Sequence, residues 1–175
     1  VLLPFTYKEL LIKKKIILDN IFLFSILGIL AVSVFNSALF YSLRHTQVIT
    51  GVLMISTVPV MIILFSSLLK IEKTNFSQIT GVFLSLTGVL FIITKANLNN
   101  LLNLSFNKGD IFALIAMFAW SLYSALLKKK EFNISPISLL QVVITFGVIF
   151  LIPMYIIDYS LGSTIKLETS FYLVL

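Results

Sequence analysis

The sequence predicts an all-α protein, a polytopic bundle of helices that crosses a lipid bilayer several times. Of its 175 residues, 59% are hydrophobic and only 11% are charged, and the mean hydropathy is +1.08. Soluble domains have roughly 45–50% apolar and about 25% charged residues, so a soluble fold could not bury this much apolar side chain. The apolar residues also form uninterrupted stretches of about 20, the length at which a helix crosses roughly 30 Å of hydrocarbon.

The two ends of the chain lie in apolar runs that are cut short. Residues 1–5 are apolar and predict the tail of a helix that began earlier. The lysines at 13–15 follow this run, whereas a secretory signal has its positive charges before the apolar core. Residues 171–175 begin another apolar run. We therefore expect the chain to be a fragment of a longer protein.

Five membrane-spanning helices are predicted between these ends. Helices are the expected form because an open strand edge would leave main-chain groups unpaired in lipid. Asn107 and Asp110 precede the fourth stretch, and Ser135-Pro136 opens the fifth; both patterns are typical of helix N-termini. The predicted spans are residues 21–43, 48–69, 77–94, 111–127 and 137–157.

Positive charge is distributed unevenly between alternate loops. One side carries Arg44, Lys95, Lys108 and Lys166, and the other side carries the remaining nine of the 13 Lys and Arg residues. Cytoplasmic loops of membrane proteins carry an excess of Lys and Arg. We therefore expect the lysine-rich loops 8–19, 70–76 and 128–135 to be cytoplasmic and the chain to lie in the cell's inner membrane. This topology explains the net charge of +6 without a nucleic-acid partner.

Enzymatic chemistry is not expected. Cysteine is absent, which excludes a disulfide scaffold and a cysteine nucleophile. The seven acidic residues lie at or beyond predicted helix ends, and the single histidine is in a short turn. Paired carboxylates, metal-ligand clusters and glycine-rich phosphate loops are missing from the sequence. We predict no catalytic residues, no metal and no cofactor.

Short motifs along the chain resemble, in order, those of EamA-type transporters of the drug/metabolite transporter superfamily. The octapeptide NSALFYSL at 36–43 resembles the family's third helix, and STVP at 56–59 resembles its SLTPV motif. Glu72 is placed like the acid of its GE turn, although Ile71 stands where the family usually has glycine. Further matches are Gly81 and Gly88 of the fifth helix, then Lys108-Gly109-Asp110 with Trp120 and Tyr123 of the second repeat.

The resemblance implies a ten-helix transporter made of two inverted five-helix repeats. Residues 1–94 would hold the end of the first repeat, from the tail of helix 2 through helices 3–5. Residues 95–108 would form an external linker, and 109–175 would begin the second repeat with helices 6 and 7. Such a carrier moves a small polar or amphipathic metabolite, such as an amino-acid, nucleoside-like or drug-like solute, by alternating access. We expect 175 residues alone not to transport, because both repeats enclose the site.

The expected partners are therefore the lipid bilayer and a small-molecule solute. The sequence leaves open whether the protein forms a homodimer. The alternative from another class is a non-transporting membrane scaffold or assembly subunit. A full-length reading frame that encodes four or five further helices would favour the carrier.

Polar residues in the first predicted span are candidate solute ligands. At 100° per residue, Ser33, Asn36, Ser37 and Tyr41 fall on one helical face. A buried Asn should face protein or a watery cavity, so its amide either binds solute or bonds a neighbouring helix. Both interpretations stay open.

Further candidates lie in the second and fourth spans. Trp120 and Tyr123 share a helical face that would present aromatic rings to an amphipathic or cationic solute. Pro59 removes a main-chain hydrogen bond in mid-span and is predicted to be a hinge. The predicted cavity-lining residues are Asn36, Ser37, Tyr41, Thr57, Trp120 and Tyr123. Helix packing is the alternative role for each.

The predicted topology is testable because the chain has no cysteine. Single cysteines introduced at Ile12, Asn99, Phe132 and Ser163 are treated with a membrane-impermeant thiol reagent in intact cells. We expect labelling at Asn99 and Ser163 only. The reverse pattern would overturn the orientation.

Overall fold

The computed structural model describes residues 2–46, 51, 54–94 and 107–160, and the regular structure in these ranges is entirely helical. The all-α prediction is therefore confirmed. The helices are α1 (Leu3–Ile12), α2 (Lys14–Asp19), α3 (Ile21–Gly28), a π-helical turn (Ile29–Val34), α4 (Phe35–His45), α5 (Val58–Leu68), α6 (Phe76–Thr94), α7 (Lys108–Lys128) and α8 (Pro136–Ser160).

Three continuous helices in the described ranges are long and apolar enough to cross a membrane. They are Ile21–His45, Lys108–Lys128 and Pro136–Ile157, and they correspond to the first, fourth and fifth predicted spans. The second predicted span contains a shorter apolar helix, Met54–Leu68. Most of the predicted linker 95–108 lies outside the described residues.

The lysine-rich segment 8–19 is helical, so its prediction as a loop is wrong. Helix α1 continues to Ile12, and α2 follows after a single turn residue, Lys13. Lys, Glu and Leu favour helix, and glycine and proline are absent from this segment. Pro4 lies in the first turn of α1, where a missing amide hydrogen costs little.

The first long helix crosses α8 at two glycines. A Cβ atom on Gly28 would lie 2.6 Å from the backbone nitrogen of Gly147, and one on Gly147 would overlap Val32. The hydroxyl of Ser33 donates to the Gly147 carbonyl at 3.0 Å. Gly28 and Gly147 therefore permit the backbones of two spans to touch, as is common in membrane proteins.

Helix α7 lies at the centre of the described bundle and packs through small residues. Its Ala113 and Ala116 are buried together with Ala38 of α4 and Met54, which precedes α5. Small side chains let α4 and α5 approach the α7 backbone closely.

The start of α7 confirms the N-terminus predicted from the sequence. The side chains of Asn107 and Asp110 form a reciprocal capping box, with Asn107 Oδ1 accepting from Asp110 N at 3.1 Å and Asp110 Oδ2 accepting from Asn107 N at 2.7 Å. The same carboxylate accepts a bond from Thr46 Oγ1 at 2.9 Å. This bond ties the segment that follows α4 to the first turn of α7.

The side chain of Glu9 in α1 forms hydrogen bonds with the N-terminus of α8. It accepts hydrogen bonds from the backbone nitrogen of Ser135 at 2.7 Å and from the hydroxyl of Ser138 at 2.6 Å. The Ser135 hydroxyl also donates to Glu9. These bonds, the one from the Ser135 hydroxyl above all, lower the pKa of Glu9 from 4.5 to about 2.

Two further polar contacts lie at this lysine-rich end of the bundle. Lys128 Nζ forms an ion pair with Glu72 at 3.2 Å, and Lys130 Nζ donates to Asn20 Oδ1 at 2.6 Å. Lys128 is the last residue of α7 and Lys130 follows the helix, whereas their partners belong to the part of the chain that precedes α6. The end of α7 is thus bonded to two separate earlier segments.

The chain leaves α5 through a left-handed residue. Lys70 has φ 54°, its nitrogen donates to Ser67 O at 3.0 Å, and the Ile71 nitrogen donates to Ser66 O at 2.8 Å. This pair of bonds is the Schellman pattern that closes helices. The left-handed residue of this turn is Lys70 and not Ile71. The backbone therefore does not require glycine at position 71.

The glycine crossing predicts a sharp contrast between two Gly→Ala substitutions. Gly28→Ala should destabilise the protein by about 1–3 kcal/mol, because the added methyl meets main-chain atoms of α8. Gly88→Ala is the control, since a Cβ there meets nothing within 4 Å, and helix propensity favours it by about 0.5–1 kcal/mol. Thermal unfolding in detergent measures both, and equal effects would contradict the crossing.

The Glu9 contacts predict a pH-dependent difference in stability. A carboxylate with a lowered pKa stabilises the folded state fully above its unfolded value, and this contribution is lost as the pH falls. Glu9→Gln should therefore lower the unfolding temperature at pH 7. The difference from the parent should shrink as the pH falls from 4.5 toward 2. Glu131→Gln, at an exposed position on the same end, is the control and should leave the unfolding temperature at pH 7 close to that of the parent.

Candidate functional site

The helix that contains α5 is interrupted in the middle of the second predicted span. Thr57 is a single tight turn residue whose φ and ψ, −78° and −16°, stay in the right-handed helical region, and its hydroxyl and its nitrogen both bond to Met54 O, at 2.6 and 3.1 Å. Helix α5 then begins at Val58, so Pro59 stands in its first turn. The buried Ser121 of α7 donates to Val58 O at 3.4 Å. The interruption therefore faces α7 through a polar contact.

The first long helix is also irregular, at its π-helical turn. The Asn36 side chain donates through Nδ2 to Val32 O at 2.9 Å and to Ala31 O at 3.3 Å. Both carbonyls belong to the π turn. Asn36 thus uses its donor atoms on its own helix. Its Oδ1 accepts from no donor in the described part of the chain.

Aromatic side chains gather where these two irregular segments approach α7. The rings of Phe35 and Trp120 are 4.8 Å apart, and those of Trp120 and Tyr123 are 5.4 Å apart. Phe35, Trp120 and Tyr123 are called the aromatic cluster below. Trp120 is 37% exposed, so part of the indole surface is free for contact beyond the cluster.

The structure brings together only some of the predicted site residues. Trp120 and Tyr123 share the aromatic cluster, Asn36 directly follows Phe35, and Thr57 directly precedes the Val58 that binds α7. These residues form one region at the junction of three helices.

Tyr41 and Ser37 lie apart from this region. The Tyr41 ring contacts Phe112 at 4.2 Å and His45 at 4.4 Å. Phe112 precedes Trp120 by about two helical turns, roughly 12 Å along α7. Ser37 is exposed. Tyr41 therefore belongs to the end of the bundle that carries the α7 cap.

The predicted polar face of the first span is split. Ser33 points to α8, Asn36 bonds its own helix, and Ser37 is exposed. The prediction of one face assumed 100° for every residue, whereas the π turn inserts about one extra residue into the helix. Residues before and after the turn therefore leave the register of a regular α-helix.

Two residues of this region were not predicted. Ser121 is a small hydroxyl residue in an apolar helix, and its sequence position gives no sign of the interrupted helix opposite. Phe35 resembles any other apolar residue of the span. Its place directly before a mid-span asparagine is the one signal that the sequence offers.

Pro59 and small residues of α6 line a groove between α5 and α6. Its volume is about 280 Å³, and it is open. Within the described residues a Cβ on Gly81 or Gly88 would meet nothing within 4 Å. At these two glycines α6 therefore has no close neighbour in the described part of the chain. The groove is lined by Ser56, Pro59, Ile63, Gln78, Gly81, Val82 and Ser85.

The chemistry of the junction is recognition by rings, hydroxyls and an amide. Aromatic faces attract apolar groups and cations, and Asn36 Oδ1 is an acceptor that no donor among the described residues occupies. The described residues contain no group of three or more His, Asp or Glu that would hold a metal ion. The arrangement is therefore suited to binding a solute.

Known proteins resembling this chain are transporters by name. The sequence pattern of the EamA-like transporter family matches residues 1–94 of this chain. The uncharacterized transporter YyaM of Bacillus subtilis is 26% identical over 141 residues, which are 81% of this chain and 46% of the relative. An uncharacterized transporter of Clostridium kluyveri is 32% identical over 132 residues, 74% of this chain and 42% of the relative. One of Archaeoglobus fulgidus is 30% identical over 129 residues, 74% of this chain and 44% of the relative.

The chain spans slightly less than half the length of these relatives. No solved structure matches it significantly. The family match covers more than half of the chain, and it agrees with the motifs, the all-helical fold and the membrane-length helices. The chain belongs to the EamA-like transporter family.

Proposed function

We propose that the full-length protein containing this chain carries a small polar or amphipathic solute across the membrane by alternating access. One observation carries the proposal: two irregular helices meet an aromatic face of α7. Interrupted helices near the middle of the bilayer form solute sites in many transporters. The relatives' names add support, since each is called a transporter.

The proposed solute site is centred on the aromatic cluster. Trp120 and Tyr123 provide ring faces, and Asn36 provides an acceptor oxygen. Thr57 lies on the opposite wall, where Pro59 gives the helix a hinge. Ser37 and Tyr41 belong to the pathway on the side of the α7 cap. Amino-acid, nucleoside-like and drug-like solutes all combine an apolar part with polar groups, as these residues require.

The proposed orientation follows from the lysine-rich end of the bundle. This end carries the Lys128–Glu72 pair and the Lys130–Asn20 bond, and we place it on the cytoplasmic side of the inner membrane. The linker 95–108 is then external. The two five-helix repeats would move relative to each other around the site, with the second repeat completed by the remaining part of the protein.

Transport assays on the full-length protein test the site. The purified protein is reconstituted in liposomes, and uptake of a labelled amino-acid mixture, of uridine and of tetraphenylphosphonium is measured. We expect saturable uptake of at least one probe. Trp120→Ala and Asn36→Ala should lower its kcat/KM by about tenfold or more, equivalent to a loss of at least about 1.4 kcal/mol.

Ile115→Ala is the matched control on α7, because its apolar side chain is 42% exposed and lies outside the aromatic cluster. It should transport like the parent. Membrane abundance and unfolding temperature in detergent should stay close to the parent for Trp120→Ala and Ile115→Ala, whereas Asn36→Ala also removes the donor that bonds the π turn. A variant that loses its fold rather than its transport has a packing role instead. If the parent moves none of these probes by a saturable process, the proposal of a carrier for these solute classes fails, and the scaffold alternative gains support.

A further inference from the structure

We propose that Asn36 is a positioning residue, which holds the π turn open and thereby sets the angle at which α4 packs on α7. The proposal concerns the geometry of the first span, and it rests on the proposed function only for its effect on transport. It assigns the donor atoms of Asn36 to the helix and leaves Oδ1 for solute.

The first step is the hydrogen bonding of the turn itself. In a π turn the N–H groups bond five residues back, so the regular α pattern is locally lost. Asn36 Nδ2 lies within hydrogen-bond distance of Val32 O and Ala31 O, which are four and five residues before it. The amide therefore supplies a hydrogen-bond donor to main-chain acceptors of the turn. Inside the bilayer no water is present to supply that donor. A side chain without donors would remove this advantage of the π form over the α form.

The second step is that the two sides of the turn are attached to different helices. Before the turn, Gly28 contacts the backbone of α8, and within it Ser33 bonds to Gly147 O at 3.0 Å. After the turn, Phe35 contacts Trp120 and Tyr41 contacts Phe112, both on α7. The π turn is thus the joint between a part of the span fixed on α8 and a part fixed on α7.

The geometric consequence follows from helix pitch. An α-helix rotates about 100° per residue, and a π turn absorbs about one residue more than an α turn. If the turn became α-helical with α3 still held on α8, α4 would rotate by roughly 100°. Tyr41 would then leave Phe112, and Phe35 would leave Trp120. The aromatic cluster therefore depends on the turn that Asn36 holds.

Cross-linking in the full-length protein tests this register. Cysteines replace Tyr41 and Phe112, whose rings are 4.2 Å apart, in a background without other cysteines. A control pair replaces Asn20 and Lys130, which bond to each other before the turn and lie at exposed or partly exposed positions. A short bifunctional methanethiosulfonate should join both pairs in the parent protein.

Asn36→Leu should lower the yield of the Tyr41–Phe112 cross-link at least fivefold and leave the Asn20–Lys130 cross-link unchanged. Deleting Leu30 from the turn in the Asn36→Leu protein should restore the first cross-link. This deletion removes the extra residue, so the segment becomes α-helical while α4 keeps its register on α7. Restoration by deletion is a result that a general loss of packing would not produce.

Two outcomes would overturn the proposal. One is an Asn36→Leu protein in which the Tyr41–Phe112 cross-link is unchanged. The other is failure of the Leu30 deletion to restore that cross-link, which decides the matter even where Asn36→Leu alone unfolds and loses both pairs. Cross-linking needs no solute, so it distinguishes failure of this proposal from failure of the proposed transport activity.

Discussion

Main-chain polar groups inside a membrane must find their partners within the protein, and this constraint governs the irregular parts of the chain. A regular helix meets it automatically, whereas each departure from regular geometry needs a specific side chain. The Asn36 amide bonds two carbonyls of the π turn, and the Thr57 and Ser121 hydroxyls bond carbonyls at the interruption before α5. These three polar side chains therefore act where the helices are irregular.

Helix α7 is the element through which these irregular helices are held together. Its alanines admit α4 and α5 at short range, and both of its ends are bonded to other segments. Thr46 bonds to Asp110 at the start, and Lys128 in the last turn pairs with Glu72. The aromatic cluster lies between these ends. An apolar centre with polar attachments at both ends fixes α7 along the bundle without placing an ion pair in the hydrocarbon.

Hydropathy and end signals predicted much of the fold, because both are local. Lipid requires long apolar helices, and Asn107 and Asp110 formed the expected cap from side chains only three residues apart. The lysine-rich segment 8–19 was wrongly predicted as a loop, because charge determines its side of the membrane and does not prevent helix formation. The Gly28–Gly147 crossing escaped prediction because the contact joins residues far apart in the chain.

The candidate site was less predictable than the fold for a related reason. Assigning residues to a helical face assumes a constant rotation per residue, and one π turn removes that assumption for every residue after it. Ser33 and Ser37 were therefore placed on one face, although one is buried against α8 and the other is exposed. Trp120 and Tyr123 share a face as predicted, because α7 is regular between them, and their role in solute binding stays a prediction. The reliability of a predicted face thus depends on regular geometry between its residues.

Asp110 shows how the same constraint separates structural from functional polar residues. A buried acid at the end of a membrane span is ordinarily a candidate for proton or ion binding. Here its oxygens accept from the Asn107 nitrogen and the Thr46 hydroxyl, which closes the helix cap and attaches the end of α4. Trp120 differs, because part of its ring surface stays exposed beyond its contacts with Phe35 and Tyr123. Unused binding capacity, more than polarity or burial, is what distinguishes a candidate solute ligand in this chain.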